Sequence, residues 1–247
     1  RALAIKQGHA EALNNRGAVL HELRRYDESL ASYDKALTIR LDYAEALSNR
    51  GNVLHELERY AEALASYDQA LSIKRDYADA LSNRGNVLHD LNRYDEALAS
   101  YDGALAVKPD STEALCHRGA TLHDLKRYDE ALTSYDKAQT IKPGYADAHW
   151  NESLCRLLIG DFERGWEKYE WRWQSGSLCA MREFSKPLWL GKEDITGKTI
   201  LLHAEQGLGD TIQFCRYAPL VSALGAKVLM EVPPPLKLLL ATLKGVS

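Results

Sequence analysis

With 247 residues, 45% of them hydrophobic and 27% charged, the chain is long enough for one large folded domain or two ordinary ones. Its formal net charge is −4, and Lys and Arg alternate with Asp and Glu, which argues against a nucleic acid partner. The richest apolar run, Thr199–His203, is far too short to cross a bilayer, so no membrane segment is expected. The cysteines lack the CxxC spacing of zinc or redox sites, so we predict no metal site and a reducing, cytoplasmic environment.

The first residues predict that the chain is a fragment. It opens at Arg1 without a methionine, and Ala2–Gly8 reads as the tail of a structural unit whose first part is missing. A self-comparison at a shift of 34 residues then aligns successive segments of the chain. The segments are His9–Asp42, Tyr43–Asp76, Tyr77–Asp110 and Ser111–Gly144, and a more divergent fifth begins at Tyr145.

Each unit is predicted to form two amphipathic helices, because its apolar residues recur at helical spacing. Small residues occupy two columns, where a larger side chain would push the two helices apart. One column holds Gly17, Gly51, Gly85 and Gly119, and the other holds Ser29, Ala63, Ala97 and Ala131. An aromatic residue marks the turn between the helices, as Tyr26, Tyr60, Tyr94, Tyr128 and Phe162.

This pattern of small and aromatic residues resembles the tetratricopeptide repeat family, and the match covers roughly residues 1–173. The resemblance implies a mainly α protein whose residues 1–174 form a right-handed α-solenoid of about five repeats, the first incomplete. In this family a concave groove, lined mainly by first helices, receives a protein or peptide.

One polar column of the first helices suits the backbone of an extended peptide, because an amide both donates and accepts hydrogen bonds. It consists of Asn15, Asn49, Asn83, His117 and Asn151. O-linked N-acetylglucosamine transferases carry a similar Asn ladder that holds protein substrates, and this column resembles it. The alternative is that these side chains only join neighbouring helices.

Two further columns of the first helices recur with the same period. For His21, His55, His89 and His123, a shared metal ion is excluded by the distance between units, and a solvated face is expected, with pH-sensitive binding as the alternative. For Arg16, Arg50, Arg84 and Arg118, we predict buried cations paired with the second-helix acids Asp34, Asp68, Asp102 and Asp136.

After Tyr145 the repeat pattern weakens, and Trp171 and Trp173 are placed to cap the last helix pair or to dock the next domain. A connector over residues 175–197 leads to a second domain, residues 198–247. Its pattern predicts a strand at Thr199–His203, a tight loop, a helix near Thr211–Leu224 and a parallel strand at Lys227–Glu231. This order predicts an incomplete, Rossmann-like α/β segment.

Of two nucleotide motifs considered for the loop after the first strand, one is rejected and the other is disfavoured. A P-loop is rejected because the spacing of its Gly and Lys residues does not match, and because the strand follows these residues instead of preceding them. A dinucleotide fingerprint is disfavoured because Ile212 stands where its third glycine belongs.

The stretch His203–Phe214 resembles instead heptosyltransferase-like (GT-B) enzymes, as found in bacterial proteins that join tetratricopeptide repeats to a glycosyltransferase domain. The resemblance implies that residues 198–247 begin the acceptor half, with Asp210 as general base on the acceptor hydroxyl. Asp210 also suits a helix N-cap. Neighbouring loop residues expected to hold the acceptor are Glu205, Gln206, Gly207 and Gly209.

Two functions follow from these patterns. The first is the acceptor-presenting arm of a glycosyltransferase that needs a nucleotide-sugar donor and is truncated here, so this chain alone should be inactive and hold no cofactor. The second is a non-catalytic protein interaction scaffold. The donor sugar, the acceptor, the bound partner, the oligomeric state and the independent folding of residues 198–247 stay open.

Overall fold

The computed structural model describes residues 2–175, 182, 184–205 and 207–246, which belong to two compact units, Arg1–Met181 and Arg182–Ser247. The first unit is a solenoid of helix pairs. Its helices are α1 (Ala2–Glu22), α2 (Tyr26–Ile39), α3 (Ala44–Glu56), α4 (Tyr60–Ile73), α5 (Ala78–Asp90), α6 (Tyr94–Val107), α7 (Thr112–Asp124), α8 (Tyr128–Ile141), α9 (Ala146–Leu158) and α10 (Phe162–Tyr169), with a 3₁₀ turn at Glu170–Trp173. Odd-numbered helices are the first helices of the repeats, and even-numbered helices are the second.

The column of glycines on the first helices lies where each pair packs most closely, as predicted. A Cβ atom on Gly85 would lie 2.5 Å from the ring of Tyr101, and the other three glycines face equivalent rings at 2.5 to 2.7 Å. These rings belong to Tyr33, Tyr67, Tyr101 and Tyr135, which are the largest fully buried side chains of the solenoid. The glycine column therefore leaves room for the tyrosine column, which forms the centre of each repeat.

The predicted pairing of the Arg and Asp columns is confirmed for Arg50, Arg84 and Arg118, and it joins consecutive repeats, whereas Arg16 contacts Glu28 and Ser32. Nε of Arg84 on α5 lies 2.7 Å from Oδ1 of Asp68 on α4, in the preceding repeat. The same guanidinium donates to Oγ of Ser100 on α6, at 2.7 Å. Arg50 and Arg118 repeat both contacts. The arginines are not fully buried as expected, since the Arg84 side chain is 25% exposed, and each connects two second helices.

The last repeat reverses the charge of this contact. Its position in the Arg column is taken by Glu152, which is completely buried. The position that corresponds to Ser100 is taken by Lys168. Lys168 donates to Oε2 of Glu152, and Nε of Arg156 lies 2.6 Å from Oε1. Gln139 of the preceding repeat also donates to Glu152, at 2.5 Å. A four-membered polar cluster therefore closes the end of the solenoid.

Aromatic residues cover this end, as one of the two sequence alternatives predicts. The Trp171 ring stacks on His149 of α9 with a centroid distance of 4.2 Å. The Arg172 guanidinium lies between the rings of Tyr169 and Trp173, at 4.5 and 4.4 Å. These contacts cap the last helix pair.

At the beginning of the chain, α1 continues without a turn from Ala2 to Glu22.

The second unit contains the predicted order of strand, loop, helix and strand. Strand β1 (Thr199–His203) pairs in parallel with β2 (Lys227–Glu231), from Thr199 opposite Lys227 to His203 opposite Glu231. Between them lie α11 (Leu208–Phe214), a 3₁₀ turn and α12 (Ala218–Ala223), and α13 (Lys237–Leu240) follows β2.

Two boundaries of the second unit need correction. The single helix predicted at Thr211–Leu224 begins three residues earlier, after the extended Gly207, and is broken before Pro219, which has no N–H to donate. The predicted connector reaches too far, because its second half packs into the second unit. Ile195 is buried there, and N of Gly197 donates to O of Gly225 at 2.9 Å.

Within the described ranges, no helix combines the length and the apolar character needed to cross a membrane.

Candidate functional site

The predicted Asn ladder lies on the inner surface, which we define as the face formed by the first helices. These helices touch their counterparts in the next repeat, α3 with α5 and α5 with α7. Nδ2 of Asn49 donates to Oδ1 of Asn14 on α1, at 3.1 Å, and Nδ2 of Asn83 donates to Oδ1 of Asn52 on α3, at 2.9 Å. One donor of each amide therefore joins neighbouring helices, as the structural alternative predicts.

The carbonyl oxygens of the same amides do not join neighbouring helices. No described residue donates a hydrogen bond to Oδ1 of Asn49 or Asn83, and both side chains are half-buried at the surface of the groove. Asn15 is exposed at the first repeat, and Asn151 donates to Sγ of Cys116 at 3.4 Å. In Asn49 and Asn83 the NH₂ group is thus held by the preceding repeat, while the carbonyl oxygen accepts no hydrogen bond from the described residues.

Two further asparagines, missed at the sequence level, support the ladder. Tyr67 and Tyr101 donate from their buried hydroxyls to Oδ1 of Asn52 and Asn86, at 2.7 and 2.8 Å. Burial raises the pKa of both tyrosines well above the ordinary value, so the hydroxyls keep their protons and remain donors. The 34-residue spacing of Asn52 and Asn86, three positions after the ladder, is the signal that would have found them.

His117 replaces asparagine in the fourth repeat. Its ring lies 6.1 Å from the Tyr101 ring, and its Nδ1 atom is buried without a hydrogen-bond partner among the residues described. Burial lowers the pKa of His117, and the nearby carboxylates of Glu113 and Asp147 only partly oppose this effect. The ring is therefore a neutral imidazole at the groove.

Two members of the His column contact acids of the next repeat, so the column is not simply solvated as expected. Nε2 of His55 lies 2.6 Å from Oδ2 of Asp90 in the next repeat, and Nε2 of His89 lies 2.8 Å from Oδ2 of Asp124. Each histidine ring also contacts the tyrosine that opens the following helix, with His89 and Tyr94 at 5.4 Å. The part of the chain that the structure describes contains no cluster of His, Cys, Asp and Glu suited to a metal ion.

In the second unit, the predicted loop lies between the carboxyl end of β1 and the start of α11. Glu205 and Gly207 are exposed there, Gly209 is exposed in the first turn of α11, and Gln206 lies outside the described residues. Asp210 is exposed in the first turn of α11, where a carboxylate complements the helix dipole. It is not the N-cap, because the extended backbone of Gly207 occupies that position.

Residues before β1 lie against the same edge of the sheet. Arg182 pairs with Glu231 at the end of β2, at 2.5 Å, which holds the pKa of that carboxyl below its usual range. The Phe184 ring contacts His203 at the end of β1, at 4.8 Å. This edge carries the ends of both strands and the loop that precedes Asp210.

The comparisons with known proteins concern the solenoid. Models of the tetratricopeptide repeat match residues 8–76, 42–110 and 82–146, which together exceed half of the 247 residues. Protein FlbA of Caulobacter vibrioides is 40% identical over 72 residues, which are 28% of this chain and only 12% of FlbA.

Solved structures resemble the same part of the chain. YrrB, described as a TPR protein with an unusual peptide-binding site, is 28% identical with a TM-score of 0.54, over 66% of this chain and 84% of YrrB. PilF of Pseudomonas aeruginosa is 18% identical with a TM-score of 0.64, over 70% of this chain and 78% of PilF, a likeness of fold alone. MamA of Desulfovibrio magneticus RS-1 is likewise 18% identical, with a TM-score of 0.60, over 68% of this chain and 95% of that one. The repeat matches and the observed helix pairs together show that the chain belongs to the tetratricopeptide repeat family.

Proposed function

We propose that the solenoid binds an extended segment of a partner protein on its inner surface. The observation that carries the proposal is the orientation of Asn49 and Asn83, whose NH₂ groups are fixed by the preceding repeat while their carbonyl oxygens are unused by the described residues. A peptide in the groove supplies N–H donors for such acceptors without regard to its sequence. The peptide-binding site stated for YrrB supports the same use of this fold.

The ladder is tested by removing two of its members. A peptide selected from a random library on the wild-type chain should bind Asn49→Ala/Asn83→Ala about 30-fold more weakly, since two hydrogen bonds of about 1 kcal/mol each are lost. Fluorescence anisotropy of the labelled peptide measures the affinity. Gln69→Ala, which removes an exposed amide from a second helix, is the control and should bind normally. Equal affinity of wild type and ladder variant would contradict the proposal.

We further propose that this arm presents its cargo to a glycosyl transfer domain that begins in the second unit and uses a nucleotide-sugar donor. The supporting observation is the placement of the loop before Asp210, at the carboxyl end of a parallel strand, where open α/β sheets bind their ligands. An exposed carboxylate there can accept the proton of an attacking hydroxyl. A scaffold without catalysis remains the alternative function, and the solenoid serves both equally.

Asp210 gives this second proposal a test in a protein that extends beyond Ser247. If Asp210 is the general base, Asp210→Asn should lower sugar transfer from nucleotide-sugar donors by about 100-fold or more. Glu193→Gln removes an exposed carboxylate from the same unit and should leave the rate unchanged. Undiminished turnover of Asp210→Asn would exclude the role as base, and absence of sugar transfer by the wild type would favour the scaffold.

A further inference from the structure

A pocket of about 250 Å³ lies on the inner surface, where side chains of α3, α5, α6 and α7 line it. Asn86 and Tyr101 line it from the third repeat, and His117 and Ala120 line it from the fourth. Sites for drug-sized ligands usually measure about 300–1,000 Å³. The pocket is therefore of a size that suits one side chain of a segment bound along the groove.

The pocket lies where the asparagine pattern of the inner surface is interrupted. In the second and third repeats, the ladder position and the position three residues later both carry asparagine, as Asn83 and Asn86 do in the third. In the fourth repeat these positions carry His117 and Ala120, and both residues line the pocket. Two carboxamide groups that the preceding repeats possess are thus replaced at this place.

The loss of the ladder amide leaves hydrogen-bonding positions of Asn86 open. Oδ1 of the equivalent Asn52 accepts two hydrogen bonds, from the Tyr67 hydroxyl at 2.7 Å and from Nδ2 of Asn83 at 2.9 Å. Oδ1 of Asn86 accepts from the Tyr101 hydroxyl at 2.8 Å, and no second donor among the described residues reaches it. Nδ2 of this half-buried side chain likewise donates to no described residue. The preceding repeat shows that a carboxamide NH₂ group fits the open position at Oδ1.

The charged groups of the pocket already have partners within the solenoid. Nε2 of His55 contacts Oδ2 of Asp90, and Nε2 of His89 contacts the next repeat, as described above. The open groups are those of Asn86, one acceptor and one donor. A ligand ammonium group has no acceptor for Nδ2, and a ligand carboxylate has no donor for Oδ1, whereas a carboxamide has both in one plane.

We propose that this pocket receives an Asn or Gln side chain of the bound segment, whose carboxamide forms a pair of hydrogen bonds with that of Asn86. The inference rests on the proposed peptide binding and adds a side-chain preference to it. The NH₂ group of the ligand takes the place at Oδ1 of Asn86 that Asn83 takes at Asn52. The carbonyl oxygen of the ligand accepts from Nδ2 of Asn86, and the small side chain of Ala120 leaves space for the incoming group.

The test uses three fluorescein-labelled peptides of ten residues in which alanine alternates with Gln, Glu or Lys. Affinities are measured by fluorescence anisotropy in about 1 M NaCl, where a Debye length of about 3 Å screens the net charge of the chain. The Gln peptide should bind the whole chain about tenfold more tightly than either charged peptide. The ratio of the Gln and Glu affinities measures the preference, because contacts to the peptide backbone cancel in it.

His117→Asn should reduce this ratio to about one, because the new amide can fill Oδ1 of Asn86 from within the chain. Asparagine holds the same position in the preceding two repeats and at Asn151, so the variant should fold, which circular dichroism checks. His21→Asn is the matched control, since it makes the same substitution on a first helix three repeats away, and it should keep the tenfold ratio.

Ala120→Leu approaches the pocket from its other side and should also reduce the ratio to about one, because the larger side chain occupies the space. The last repeat carries Leu154 at this position, so the fold accepts leucine there. Ala18→Leu makes the same change in the first repeat and should keep the ratio.

Three results would overturn the side-chain preference and leave peptide binding intact. They are equal affinity of the wild type for the Gln and Glu peptides, tightest binding of the Lys peptide, and a ratio that the pocket variants and their controls change alike. Binding of none of the three peptides to the wild type overturns the proposed function and this inference with it.

Discussion

Replacing Gly85 by alanine is expected to lower the free energy of unfolding by about 1–3 kcal/mol, because the new methyl group overpacks the repeat. Its carbon would lie 2.5 Å from the ring of Tyr101, which is fully buried. Urea denaturation followed by far-ultraviolet circular dichroism measures the effect.

Gly103→Ala is the matched control, one helix further along the chain. Its Cβ would meet the Leu81 side chain at 3.5 Å, an ordinary van der Waals distance. Since alanine is the better helix former, this variant should be more stable than wild type by about 0.5–1 kcal/mol. We therefore expect the free energy of unfolding to fall in Gly85→Ala and to rise in Gly103→Ala. If both are stabilised, the glycine column is not required by the tyrosine column.

Replacing the buried Glu152 by glutamine is expected to cost about 3 kcal/mol, because the change takes the counter-charge from Lys168, while Arg156 keeps Asp161 at 2.8 Å. Burial by itself would raise the pKa of Glu152, but hydrogen bonds from Lys168, Gln139 and Arg156 outweigh it and lower the pKa. The loss should be confined to the last repeat, because each repeat of a solenoid contacts only its neighbours. Amide hydrogen exchange should therefore show faster opening of α9 and α10 and little change in α3 and α5.

The pH dependence of the last repeat has a sign that follows from the same pKa shift. A carboxyl whose pKa is lower in the folded state stabilises the fold above its unfolded pKa, and this contribution is lost as the pH falls through the folded value. Glu152→Gln should thus remove part of the acid destabilisation of α9 and α10. Glu163→Gln, an exposed acid of α10, should change neither the stability nor the pH profile. Equal behaviour of the two variants would contradict the role of the cluster.

The two units contribute differently to the proposed function. The solenoid carries amide acceptors of Asn49 and Asn83 in consecutive repeats, so the proposed extended partner would contact more than one repeat. The second unit contributes one exposed carboxylate and a glycine-containing loop. In the proposed function, recognition of a partner belongs to the solenoid, and sugar transfer belongs to the loop after β1.

The sequence by itself determined the existence of the repeat, its period and the packing inside each repeat. Recurring residues such as Gly85 and Tyr101 lie on helices joined by a short turn, so local spacing is sufficient to predict that they meet. The same holds for β1 and β2, whose apolar runs and intervening turn residues define strands. The Arg and Asp columns were also paired correctly, because a partly buried cation requires a counter-charge.

Contacts between repeats were decided only by the tertiary structure, because they depend on the rotation and shift from one repeat to the next. A 34-residue period does not state whether Arg84 meets the Asp of its own repeat or that of the preceding one, and the structure selects Asp68. The same offset brings His55 to Asp90 and fixes the NH₂ group of Asn83 on Asn52. It also brings Gln139 of the preceding repeat to Glu152, which Lys168 of the same repeat contacts as well, so a residue that breaks the sequence pattern holds the last repeat together.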